Sequence, residues 1–79
     1  MKGNEKDREF NYSIEEHIGV IAEESNGWRK ELNMVSWNGG AAKFDIRSWD
    51  DSHRKMTRGI TLHKDEMSAL KSLLSEMEV

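Results

Sequence analysis

Two turn signals set the topology this chain can adopt. Ser25-Asn26-Gly27 and Asn38-Gly39-Gly40 each fall between segments in which apolar and polar residues alternate. Asparagine and glycine take positive φ at low cost, so such triplets join antiparallel neighbours. Period-two alternation marks a half-buried strand. Before the first turn, Phe10, Tyr12 and Ile14 fall on one side, followed by Ile18, Val20 and Ala22. Glu16 interrupts this apolar set, so the stretch reads as two strands or as one strand with a bulge. Between the turns, Trp28, Leu32 and Met34 lie on one side, and Arg29, Glu31, Asn33, Val35 and Trp37 on the other. A third strand over Lys43 to Trp49 turns Phe44 and Ile46 toward the core. Asp50 to Lys55 reads as a loop, and a fourth strand over Met56 to Leu62 points Ile60 and Leu62 inward.

After Leu62 the period changes. Met67, Leu70, Leu73, Leu74 and Met77 recur at spacings of three and four, the stripe of an amphipathic helix. His63 stands at the N-cap position. Asp65 and Glu66 suit the positive end of the helix dipole, and Glu66 is placed to close a capping box. The fold class is therefore α+β: a four-stranded antiparallel sheet followed by one C-terminal amphipathic helix that covers one sheet face. Residues 1–9 read as a loose polar tail and 10–79 as one domain.

A 79-residue chain has a small core, of about 3–5 kcal/mol, and usually needs a further constraint. The absence of cysteine excludes disulfides, and three histidines alone do not form a zinc set. Oligomerisation remains, which predicts a homodimer built on the helix through Leu70, Leu73, Leu74 and Met77. No apolar run approaches the ~18 residues of a membrane span, and the first residues lack a signal-peptide apolar region. Cysteine-free composition fits a reducing, cytoplasmic location. The net charge of −3 is unevenly placed: residues 28–64 carry eight Lys/Arg against four Asp/Glu, between acidic flanks. Clustering, rather than the total, sets the field a polyanion meets.

In this register the open sheet face collects Arg29, Trp37, Lys43, Arg47 and Trp49. Rings among cations are what a single-strand binder needs, because rings stack on unpaired bases while cations follow phosphates. The competing reading is that one or both tryptophans are packed beneath the tail, the helix or a partner chain, since tryptophan is highly buried on average. His17, His53 and His63 lie on different elements and read as solvated or capping residues, with no metal site. Glu15-Glu16 and Glu23-Glu24 point to opposite faces of a strand and do not form a catalytic pair. No nucleophile–base pair is visible, so no catalytic residue, cofactor or small-molecule substrate is expected.

The stretches Phe44-Asp45-Ile46-Arg47-Ser48-Trp49 and Lys55-Met56-Thr57-Arg58-Gly59-Ile60-Thr61-Leu62, followed by a terminal helix, resemble the positive-cofactor-four family of single-stranded-DNA-binding transcriptional coactivators. Among its members the chain is most similar to the small bacterial YdbC-type relatives, over roughly residues 14–77. The resemblance implies a curved four-stranded sheet with one helix, paired into a dimer. It implies aromatic contacts from Trp37 and Trp49 and basic contacts from Arg47 and Arg58, with Lys55 opening the second motif. The short, mixed-charge segment Met1 to Glu9 departs from the basic, serine-rich tail of the eukaryotic members, so coactivator activity is not implied. Arg58 shares parity with Ile60, so its outward placement requires the strand to begin or twist there. The function expected is sequence-tolerant binding of single-stranded DNA, with RNA as a further ligand, by a homodimer in transcription, replication or repair. The alternative is a dimer that offers the tryptophan face to another protein.

Overall fold

A computed structural model of the chain describes residues 11–79. Phe10 and the expected tail at 1–9 lie outside the described residues. The elements are β1 (Tyr12–Glu23), β2 (Arg29–Trp37), β3 (Lys43–Trp49), β4 (Ile60–Leu62) and α1 (Lys64–Ser75). The strands form one antiparallel sheet in the order β1-β2-β3-β4. The two turns sit where the glycines place them, with Gly27 at φ 90° and Asn38 and Gly39 at φ 53° and 77°.

β1 has 12 residues and pairs with the 9 of β2. The excess is absorbed by register shifts at Ile14/Glu16, His17/Gly19 and Val20/Ala22. The stretch is thus one strand, bulged three times. Each bulge inserts a residue, bends the strand and increases its twist. Tyr12, Ile14, His17, Val20 and Glu23 consequently stand opposite Trp37, Val35, Asn33, Glu31 and Arg29 and share one face with them. The expectation that Ile18 and Ala22 share a side with Val20 is corrected: Ile18 is an inserted residue and Ala22 pairs with Lys30.

These bends curl the sheet upon itself. Tyr12 pairs with Trp37 at one end of β2, and Trp49 pairs with Arg29 at the other. Yet the Tyr12 and Trp49 ring centroids are only 5.3 Å apart. The concave side is therefore closed into a small core by its own ends. It holds Val35 and Trp49 together with the polar Glu31, Asn33 and Asp45, all buried.

Leu32, Met34, Phe44, Ile46, Ile60 and Leu62 occupy the convex side. The expected helical cover over this face is corrected, because α1 touches only β3 and β4 and none of its residues is buried. Ile60 is 57% exposed and Leu73 61%. The fourth strand is shorter than expected: Met56 makes only an isolated bridge to Trp49, and regular pairing begins at Ile60. Gly59 marks the entry. A Cβ there would lie 2.3 Å from the Ile46 carbonyl oxygen and 2.4 Å from Arg47 Cβ, so only glycine lets the chain approach β3 this closely. Glu66 Oε1 accepts the His63 N–H at 2.7 Å and ties down the helix start. Among the described residues no helix is long and apolar enough to cross a membrane.

Candidate nucleic-acid interface

Strand alternation puts Asp45 and Arg47 on one face, two residues apart. Arg47 donates to Asp45 twice, Nε to Oδ1 at 2.7 Å and Nη2 to Oδ2 at 2.8 Å. Thr61 Oγ1 donates to the same Oδ2 at 3.1 Å, and Arg47 Nη1 reaches the Thr57 carbonyl at 3.3 Å. This two-bond grip fixes the plane of the guanidinium. Its Cζ lies 4.6 Å from the Trp37 ring centroid, in cation–π range. Two of the sequence-predicted residues, Trp37 and Arg47, are thus joined into one platform, although five residues of β2 lie between Trp37 and Glu31, the residue paired with Arg47.

Trp49 departs from the expectation of a ring in water. It is 0% exposed. Tyr12 packs on it at 5.3 Å and His53 at 5.7 Å. Tyr12 also contacts Trp37 at 5.9 Å and donates its hydroxyl to the His53 carbonyl. The curl turns this end of the concave face inward, and Trp49 becomes its packing centre. Its indole N–H has no hydrogen-bond partner among the described residues.

The remaining predicted residues are distributed around this core. Lys43 lies on the concave side beside Val35. Arg29 donates Nε to Glu31 Oε2 at 3.4 Å. Arg58 is exposed and shares a groove of about 350 Å³ with Lys30, Arg47, Ser48 and Thr57. Lys55 is exposed in the loop after β3. That loop is organised by Asp50, whose Oδ1 accepts the Arg54 and Lys55 N–H groups, each at 3.0 Å. The Lys55 N–H bond leads the causes that hold the Asp50 carboxyl below its ordinary value.

Sequence reasoning missed one constellation. Glu31 is 1% exposed. His53 Nε2 lies 3.0 Å from both of its oxygens, and Asn33 Nδ2 donates to Oε1 at 3.0 Å. His17 Nδ1 is 2.7 Å from Asn33 Oδ1 and 3.5 Å from Glu31 Oε1. Burial pushes the Glu31 carboxyl up, but the bonds from Asn33 and His53 and the charges of His53 and His17 outweigh it and leave it below its ordinary value. The reading of His17 and His53 as separate, solvated residues is corrected by their meeting on this carboxylate. Nothing local announces that meeting, since it depends on the curl and on His53 adopting φ 60°. Only the Asp45–Arg47 spacing was a visible signal within the buried polar set. Among the described residues no group of three or more His, Cys, Asp or Glu is placed to hold a metal ion.

Comparison with known proteins agrees with this architecture. A relative from Treponema pallidum (strain Nichols), described as an uncharacterized protein, is 39% identical over 71 residues, covering 90% of this chain and 84% of the relative. The model of the family Transcriptional Coactivator p15 (PC4) matches residues 25–73, from the first turn through β2, β3 and β4 into α1. The match takes in the Asp45–Arg47 grip, the Trp37 platform and the Gly59 entry, and the chain belongs to the Transcriptional Coactivator p15 (PC4) family.

Proposed function

We propose that the chain is a non-catalytic, sequence-tolerant binder of single-stranded DNA, able also to take RNA, acting as a homodimer. The observation that carries this reading is the Arg47 guanidinium laid 4.6 Å over the Trp37 ring. Unpaired bases stack on aromatic rings and on arginine planes alike, and here the ring backs the arginine plane. Each stacked base contributes about 1–3 kcal/mol and demands no particular sequence. Because Asp45 takes two bonds from Arg47, phosphate contact falls to Lys43, Lys55 and Arg58, with Arg29, tied to Glu31 only through Nε at 3.4 Å, at the far end of β2. Family membership supports a nucleic-acid ligand. On this reading the chain acts in transcription, replication or repair in a bacterial cytoplasm.

The homodimer reading rests on the convex side. Leu73, Leu74, Met77 and Ile60 are all more than half exposed. We read them, with Leu70, Phe44 and Ile46, as one apolar surface that a second copy would cover, offsetting the small core of one chain. Sedimentation should give twice the chain mass at low micromolar concentration; a folded monomer there would contradict this.

The ligand is tested by titrating the chain with oligo-dT, a matched duplex and an oligo-U strand over a range of salt. The expected outcome is tighter binding to the single strands, with log K falling linearly in log[salt] by about 0.7 per neutralised phosphate. Binding to none of these, with retention of a protein partner instead, would favour a protein-interaction dimer.

A further inference from the structure

Between β1 and β2 the concave side opens into a cleft of about 550 Å³, lined by Ile14, His17, Val20, Arg29, Glu31 and His53. It adjoins the Trp37–Arg47 platform but is not part of it. Its floor is the Glu31 carboxylate, which is occupied by Asn33, His53 and Arg29 and has little capacity left for a ligand. The rim carries the unused capacity. Arg29 spends Nε on Glu31, and its two Nη groups make no hydrogen bond among the described residues. Asn33 donates its amide N–H to Glu31, so its Oδ1 accepts from His17 Nδ1. That leaves His17 Nε2, on a side chain 50% exposed, as a second ring nitrogen with no partner among the described residues. Ile14 and Val20 form an apolar wall beside these groups.

An apolar wall next to forked, outward N–H donors suits a flat ring with an anionic group attached. We propose that this cleft is a nucleotide subsite: one base of the bound strand lies against Ile14 and Val20, and its phosphate is held by Arg29 and by protonated His17. The proposal rests on the single-strand reading above and extends the strand's path from the platform across β2 to β1. Arg29, already assigned to the interface, makes the two surfaces continuous.

The hydrogen-bond pattern gives the subsite a pH dependence. While His17 is neutral and donates from Nδ1, Nε2 is an acceptor and repels a phosphate oxygen. Protonation turns Nε2 into a donor without disturbing Asn33. The charged groups facing His17 are Glu31 and Arg29 from β2 and His53 from the loop after β3. Asp45 and Arg47 on β3 lie across Asn33 and are paired with each other. The phosphate is therefore held only by the protonated ring.

The test uses the full chain and oligo-dT, measuring affinity and salt slope at about pH 8 and about pH 5, the span across which histidine side chains in general change charge. The wild type should bind more tightly at the acid end, with a slope steeper by about 0.7, one additional phosphate. His17→Gln should abolish the steepening while keeping the neutral-pH slope. Val20→Glu, at a half-exposed position that tolerates a polar side chain, should weaken binding roughly tenfold or more by like-charge repulsion. Circular dichroism checks that both variants remain folded. If the wild type binds no oligonucleotide at all, the single-strand reading itself fails. If the wild type binds but both variants match it, with the same pH profile, the subsite is wrong and the single-strand reading stands. Equal affinity of the wild type for a polyglutamate peptide would also overturn the nucleotide assignment.

Discussion

Asp45 holds Arg47 by two bonds of 2.7 and 2.8 Å, and that grip sets the guanidinium over the Trp37 ring, 4.6 Å from its centroid. Asp45 is fully buried, and the Arg47 side chain is 13% exposed. The pair therefore acts as a positioning device in a low-dielectric setting, where each charge depends on the other.

Asp45→Asn keeps the volume and removes the charge. Breaking a buried pair from one side costs about 3–5 kcal/mol, because the remaining cation loses its partner. Urea denaturation should show a loss in that range. Oligo-dT affinity measured well below the new midpoint should also fall, because Arg47 is no longer held over the ring. A change under about 1 kcal/mol would place the pair among ordinary surface bridges.

Gly59→Ala puts a methyl group 2.3 Å from the Ile46 carbonyl oxygen. The backbone of β3 must shift or β4 must detach, at a cost of about 1–3 kcal/mol by analogy with an overpacked core. Amide exchange should accelerate at Ile60 to Leu62 before it changes at the β1–β2 pairs. Uniform acceleration across the sheet would mean that the β4 entry is not a local constraint.

Glu31 links stability to pH. Its folded-state carboxyl lies below the ordinary value of 4.5. The folded chain therefore takes up that proton less readily than the unfolded chain. The stabilisation is present in full above the ordinary value and is lost as pH falls below it, through the lower folded value. Denaturation midpoints measured from neutral pH down to pH ~3 should fall more steeply for the wild type than for Glu31→Gln. Parallel curves would show that the carboxylate is not held by His53 and Asn33 in solution.

Much of the architecture was legible because its strands keep strict alternation. β3 occupies the residues its pattern indicates, from Lys43 to Trp49, since nothing interrupts the period there. β1 was ambiguous for a physical reason: three inserted residues place Ile14, His17, Val20 and Glu23 on one face at spacings of three, which no period-two template matches. Parity correctly put Trp49 on the side of Arg47 and Trp37. It gave no sign that the curl buries that side. The Glu31 cluster was hidden for the same reason, because His17 and His53 meet only once the sheet has closed.

In the proposed binding mode the concave Trp37–Arg47 platform holds bases while Trp49 holds the fold. The direct measurement is thermal melting and oligo-dT affinity, followed by tryptophan fluorescence, for Trp37→Ala and Trp49→Ala side by side. Trp37→Ala should lose about 1–3 kcal/mol of affinity. Trp49→Ala should lose about 3–5 kcal/mol of stability, with any binding loss tracking unfolding. Trp49→Phe, which removes the unpartnered indole N–H, should stay folded and keep its affinity. The reverse pattern, in which Trp49→Ala abolishes binding at full stability while Trp37→Ala binds normally, would contradict it.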